Sequence, residues 1–244
     1  MITKVHYGRY PELVPDFRKS VEQFVVKGSL KRICEVGSGG HPAISAQFIK
    51  DFDVCYSAID RDRDELEKGG VSGARYVMDI CEKPGRIPGS PYDLICSVAT
   101  MEHVKNPRLA HENILKSLAP TGLAVHLFPT LYCLPYLLNL LLPEFVSDVL
   151  LSAFAPRNDD GKSGKLPAYY RRCRGPVGGQ IKFFQNIGYD VLEFRGYFGH
   201  GYYEARLPWL HVLEEMKTDT LLAFPIAHLT SFATVILQAR PVAP

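Results

Sequence analysis

Residues 33–41 read Ile-Cys-Glu-Val-Gly-Ser-Gly-Gly-His, an apolar run that closes on an acid and then breaks into glycines. That pattern makes a cradle for a nucleotide-like ligand. Gly37 and Gly39 carry no Cβ, so backbone N–H groups can come close to what is bound. A helix-like run opened by Pro42 follows, and its first turn would add the positive end of the peptide dipole. Asp60 ends the next apolar run, 25 residues after Glu35. A Rossmann-type acid accepts hydrogen bonds from ribose hydroxyls close to that spacing. Within Asp60-Arg61-Asp62-Arg63 the same residue could instead cap a helix. No Lys or Arg lies between Gly37 and Pro42, so there is no Gly-Lys-Ser/Thr phosphate loop. Pro42 stands where a dinucleotide fingerprint wants Gly or Ala. Both facts point away from nucleoside triphosphates and NAD.

The elements that must position these residues alternate. Strand-like runs at Ile33–Val36, Val54–Ile59, Arg75–Met78, Tyr92–Val98 and Leu123–Phe128 are separated by helix-like runs at Pro42–Lys50, Arg63–Lys68 and Pro107–Leu118. Such alternation implies a parallel sheet with helices on both faces, binding its ligand at the carboxyl ends of the strands. The second half is less regular. Leu131–Phe154 is apolar and broken by prolines, the pattern of one or two lid helices. Pro176–Asn186 and Leu207–Leu222 read as helices, and Tyr189–Tyr197 and Ser231–Ala239 as strands. The organisation expected is 1–130 for an N-terminal helix and the ligand-binding core, 131–174 for a helical and loop lid, and 175–244 to complete the sheet.

The composition is that of an ordinary globular protein: 244 residues, 46% hydrophobic, 22% charged, with a formal charge of +2 that gives no strong pull on nucleic acid. The six cysteines are dispersed with no Cys-x-x-Cys pair, which favours a reducing, cytoplasmic setting and provides no metal framework. Thr121–Pro143 has no charged side chain and is long enough to suggest a membrane span, but Pro129, Pro135 and Pro143 interrupt it.

Taken in order, Glu35-x-Gly37-x-Gly39, Asp60, Asp79-Ile80, Tyr92-Asp93-Leu94-Ile95, Glu102-His103-Val104 and Leu118-Ala119-Pro120-x-Gly122 resemble the seven-stranded, Rossmann-like S-adenosylmethionine-dependent methyltransferases of small molecules. The resemblance covers Arg32 to Phe128 well and the last helix and strands more loosely. It departs at His41, where many members carry glycine. It implies S-adenosylmethionine as cofactor. Glu35 would sit near the ammonium of its methionine, or else fix the turn through backbone amides. Asp60, with Arg61 beside it, would hold the ribose; Asp79 would accept the adenine amine and Ile80 pack on the ring. Ser97, Val98 and Met101 would line the sulfur end, and Tyr7 would cover the cofactor from an N-terminal helix. The same resemblance puts Glu102 and His103 at the edge of the cleft, with His103 a candidate general base or a loop-holding residue.

Methyl transfer is a displacement at an activated carbon, so alignment and water exclusion carry most of it. His200, between Gly199 and Gly201, is a second candidate base. Acceptor-side candidates are Tyr132, Tyr169, Tyr170, Arg171 and Tyr202, all of which could equally pack a lid onto the core. Arg157–Arg174 holds six basic and two acidic residues, net +4, leaving −2 for the rest of the chain. That segment suits an anionic acceptor, a lipid headgroup or RNA, or is a solvated loop face, and the apolar stretch before it suits a hydrophobic acceptor reached at a membrane surface or the buried packing of a lid. The expectation is therefore transfer to a small hydrophobic or anionic molecule, at oxygen rather than nitrogen or carbon. Neither metal nor nucleic acid is expected, and the oligomeric state is left open. The alternative is a non-catalytic cofactor-binding module that holds a partner through its lid.

Overall fold

The computed structural model of the chain describes residues 3–40, 42–70, 73–133, 136–137, 167–204 and 207–240. The strands are β1 (Lys4–Arg9), β2 (Arg32–Val36), β3 (Cys55–Asp60), β4 (Ala74–Val77), β5 (Tyr92–Val98), β6 (Leu118–Pro129), β7 (Tyr189–Phe198) and β8 (Phe232–Ala239). The described α-helices are α1 (Leu13–Gly28), α2 (Ala46–Asp51), α3 (Arg63–Lys68), α4 (Pro107–Ser117), α5 (Gly178–Ile187) and α6 (Pro208–Ala223). The strands form one sheet in the order β1-β7-β8-β6-β5-β2-β3-β4. β8 runs antiparallel to both its neighbours, and every other pairing is parallel.

Alternation within the central strands splits the core between the two faces. Ile33, Leu94 and Cys96 pack with Leu13, Phe17, Val21 and Val25 of α1 and with Ile49 and Leu66 of α2 and α3. Cys34, Val36 and Ile95 pack with Ala110 and Ile114 of α4 and Phe184 of α5. The buried residues of α1 recur at helical spacing, and its end is set by Ser29 in the left-handed region at φ 52°. Asn106 caps α4, its Oδ1 accepting from Leu109 N at 3.2 Å, and Pro107 opens the helix.

The α/β reading holds, with three local differences. The chain begins with a strand before its first helix: Lys4–Arg9 pairs with β7 in parallel and adds an eighth strand at that edge. The helix expected from Pro42 starts only at Ala46, with Ser45 as cap, its Oγ accepting from Phe48 N at 3.1 Å. Residues 42–45 stay outside the helix because Ala43 N–H is drawn back onto Glu35. β6 begins at Leu118, five residues earlier than the apolar run suggests. The lid helices expected over Leu131–Phe154 fall almost wholly outside the described residues. Among those described, no helix is long and apolar enough to cross a membrane.

Candidate functional site

β2, β3 and β5 end side by side, and a cavity opens at their carboxyl ends between Gly37, Asp60, Arg61, Asp79, Ile80, Thr100 and His103. Gly37 turns the chain out of β2 at φ +69°, its N–H donating to Ile59 O at 2.7 Å. A Cβ at this position would land on the Thr100 side chain. The Thr100 hydroxyl lies 3.0 Å from Val98 O and 3.2 Å from Val36 O, so it ties the ends of β2 and β5 together. Asp60 uses Oδ1 to accept from Asp62 N at 3.0 Å, and its Oδ2 faces Gly39 across the cradle. Asp79 is braced alike, Oδ1 accepting from Cys81 N at 2.9 Å. Both acids thus have their direction set by the turn that follows them, with acceptor capacity left toward the cavity.

The loop carrying Asp79 and Ile80 is held by Asn113 of α4, a residue the sequence reading missed. Its Nδ2 donates to Ile80 O and Lys83 O, both at 2.9 Å, while its Oδ1 accepts from Gly85 N at 2.9 Å. All three partners lie about thirty residues from it along the chain. Thr100 was missed in the same way, and in neither case does a local pattern in the sequence announce the contact.

His103 lines the cavity beside Thr100 and Val104. Its Nδ1 lies 3.0 Å from Pro167 O, and a carbonyl can only accept, so Nδ1 carries the proton and Nε2 keeps its lone pair. Burial holds its pKa below the ordinary imidazole value; the Pro167 carbonyl opposes this and the Arg61 charge adds to it. Nε2 is 3.8 Å from Oε1 of Glu102. Glu102 is 5% exposed, its pKa is pushed up to about 8 by burial, and its Oε2 has no hydrogen-bond partner among the described residues. Its carbonyl accepts from Tyr169 N at 2.7 Å and Tyr170 N at 3.0 Å, which fastens the 167–174 segment to the cleft edge.

Beyond that edge the acceptor-side candidates divide. Tyr169 has Lys105 Nζ 6.0 Å and Arg171 Cζ 5.8 Å from its ring centroid, and Arg171 donates to Lys105 O at 2.8 Å. Tyr170 is buried, with Tyr136 5.6 Å away, and the Tyr136 and Tyr202 hydroxyls are 3.0 Å apart. Tyr132 stands apart from both groups, exposed and stacked under Arg174 at 5.0 Å.

A second cavity lies across the cradle, between Val14, Phe17 and Arg18 of α1, the Gly40–Ala43 loop, Val98 and Leu127. Val98 therefore lines a cavity, as expected, but four other candidates line neither of these two. Ser97 is fully buried on the opposite side of β5, its Oγ 2.8 Å from His126 Nδ1, because successive strand residues point to opposite faces. Glu35 is buried, with Oε1 accepting from Ala43 N at 2.8 Å and Oε2 from the Tyr56 hydroxyl at 2.9 Å. It fixes the turn through these bonds, the second of the two roles expected of it. Its pKa is raised by burial and drawn back by these bonds. Tyr7 lies on β1, stacked on Phe198 at 5.4 Å, in the fifth strand from β2. At about 4.8 Å per strand that is roughly 24 Å from the cradle. His200 is buried, its Nδ1 taking a long hydrogen bond from Tyr202 N at 3.4 Å and its Nε2 lying 3.6 Å from Glu214 of α6. The ring sits between the 200–203 turn and α6 and lines neither of the two cavities.

A family profile described as a methyltransferase domain matches residues 9–195. No curated protein sequence matches the chain closely enough to count as a relative. Among solved structures, the chain is similar to magnesium protoporphyrin IX methyltransferase from Synechocystis PCC 6803 with bound SAH, with TM-score 0.51, 10% identity, and 92% of this chain and 82% of that one covered. It is similar to an S-adenosylmethionine-dependent methyltransferase from Clostridium acetobutylicum, with TM-score 0.52, 10% identity, and 95% and 96% covered. It is also similar to phosphoethanolamine N-methyltransferase 2 of Haemonchus contortus in complex with S-adenosyl-L-methionine, with TM-score 0.52, 16% identity, and 91% of this chain and 53% of that one covered. At these identities the structural likenesses speak for the fold. With the profile spanning more than half of its length, the chain belongs to the methyltransferase-domain family and has its Rossmann-like fold.

Proposed function

We infer that the chain is an S-adenosylmethionine-dependent methyltransferase whose acceptor is a small molecule with a hydroxyl group and an anionic or hydrophobic body. One observation carries the cofactor reading: a cavity at the ends of β2, β3 and β5 where Asp60 and Asp79 keep carboxylate acceptor capacity and Gly37 leaves room that a side chain would fill. Those features fit a nucleoside with a long neutral-to-cationic tail. The acids accept from ribose hydroxyls and from an exocyclic amine, and the buried Ile80 supplies an apolar wall. When bound, the cofactor supplies a methyl group on a sulfonium sulfur.

The remaining work falls to the chain. Gly37 and Thr100 shape the first cavity, so that an acceptor oxygen entering beside His103 is aligned with the methyl group and water is kept out. The bare Nε2 of His103 is placed to take the hydroxyl proton, a contribution of roughly 100- to 10,000-fold where it operates. Support for an anionic acceptor comes from Lys105 and Arg171, which flank Tyr169 at the rim and are not ion-paired among the described residues. A charge there is available to a carboxylate or phosphate.

Calorimetric titration with S-adenosylhomocysteine and with NAD tests the cofactor, with binding expected for the first alone. Incubation of a cell extract with the protein and methyl-labelled S-adenosylmethionine, read by mass spectrometry, tests the reaction. A labelled small molecule bearing a methyl ether is expected; cofactor binding without any labelled product would make the chain a binding module.

A further inference from the structure

We propose that the outer face of α6 is the contact surface of a homodimer, with a second copy of the chain as its occupant. α6 is built inside out. Its buried residues are Glu214, Thr218 and Leu221, with Glu214 turned in toward His200 and Lys217. Trp209, Val212, Leu213, Met216 and Phe224 are each more than half exposed. At about 3.6 residues per turn, positions 209, 212, 213, 216 and 220 draw one stripe along the helix, and Phe224 ends it. A surface helix ordinarily turns such a stripe to the core. Here the side that packs on β1 and β7 takes a carboxylate and a threonine, and the apolar stripe faces out.

The area is that of a dimer contact. Exposed to this degree, large apolar side chains show on the order of 100–150 Å² each, so the stripe offers roughly 600 Å². Two copies face to face would bury about 1,200 Å² in all, where specific stable interfaces begin. Ile226 and Leu229, 50% and 44% exposed, follow Phe224 closely in the chain and add to it. The stripe can also be dried without stranding a polar group. Thr220, its polar member, already donates to Met216 O at 2.9 Å. The charges beside it are paired within the chain: Arg9 Nη1 lies 2.7 Å from Glu215 Oε2, Arg9 Nη2 meets Asp219, and Lys217 Nζ lies 2.5 Å from Glu214 Oε1. A lipid surface is the poorer occupant, because helices that lie in a membrane interface are rich in Lys and Arg on their polar face. α6 has Lys217 alone, turned to Glu214. A second copy brings the same neutral rim and the same stripe. Val212, Met216 and Phe224 share a ridge of four-residue steps, which two helices related by a two-fold axis can seat in each other's grooves.

Trp209 is the chain's single tryptophan, so the surface carries its own reporter. The full chain is studied by sedimentation equilibrium and by Trp emission across a dilution series. A dimer at micromolar concentration is expected, with emission shifting to the red as it dissociates. Leu213→Glu and Met216→Glu, both at exposed positions, should each weaken association about a hundredfold or more, because every dimer would bury two unpaired carboxylates. Val77→Glu, on the exposed edge strand β4 at the other end of the sheet, should leave it unchanged. Circular dichroism shows that each variant is folded, and either α6 variant suffices. A dimer that survives both α6 substitutions would overturn the proposal. So would a wild-type monomer at every concentration. Red emission that turns blue on adding phosphatidylcholine–phosphatidylglycerol vesicles would then give the face to lipid, and blue emission from the monomer alone would give it to another part of the same chain.

Discussion

The two ends of the cleft are built on different principles. At the nucleoside end, position is set by main-chain geometry: Gly37 in the left-handed region, Asp60 and Asp79 each locked by an amide two residues on, and a loop laced to α4 by Asn113. At the acceptor end, position is set by side chains on segments far apart in sequence. The rim depends on Tyr169 between two cations and on Tyr170, Tyr136 and Tyr202 in mutual contact. The first kind of site tolerates few backbone changes and many changes of surface. The second can be altered residue by residue, each step costing little. Recognition of a common cofactor beside a variable acceptor needs that division of labour.

The largest effect should come from adding bulk to the rigid end. Gly37→Val forces a β-branched residue to φ +69° and into Thr100, so affinity for S-adenosylhomocysteine should fall on the order of a hundredfold or more. Near-normal calorimetric affinity in a folded variant would place the cradle elsewhere. At the junction of the two ends, His103→Gln should lower kcat by about a hundredfold and leave cofactor affinity intact. Because burial depresses the His103 pKa, its base form persists at neutral pH, and the acid limb of the rate profile should lie below about 6.5. A profile identical in wild type and variant would remove His103 from proton transfer.

Glu102 gives a smaller effect that is read in stability. Its folded pKa of about 8 lies above the unfolded carboxyl value of about 4.3, so the folded chain holds an extra proton in that window. Stability should therefore fall as pH rises from about 4 to 8. Glu102→Gln should flatten that slope, by on the order of 1–3 kcal/mol at its upper end, in Tm measured against pH. An unchanged slope would mean that the carboxyl is hydrated. The smallest effect belongs to the adaptable end: Tyr202→Phe removes one hydroxyl contact with Tyr136 and should cost about 0.5–1.5 kcal/mol, a few degrees in Tm. A much larger loss would show that the aromatic rim is as rigid as the cradle.

What the sequence disclosed follows the same division. Alternating apolar runs announced the α/β sheet, since burial of parallel strands on both faces leaves a local signature, and Asp60 and Asp79 were legible as acids closing such runs. Glu35 closes one too, yet its side chain turns inward to Ala43 and Tyr56, a direction that no strand-end pattern encodes. Ser97 was displaced by parity, since a shift of one residue along β5 moves a side chain from cavity to core. The six residues of β1 were too few to set their alternation against the helix behind them, so Tyr7 was carried to the wrong place. Thr100 and Asn113 were invisible for another reason: their partners come from other parts of the chain, 64 residues away for Val36 and 33 for Ile80.

The link between Val98 and Ala99 divides the two spaces, and Ala99 is held there at φ 49°. A single peptide unit thus acts as a watershed. Substitutions on the α1 side change the second cavity, while the nucleoside grip on the other side keeps its shape. New chemistry can be tried on one slope without disturbing the other.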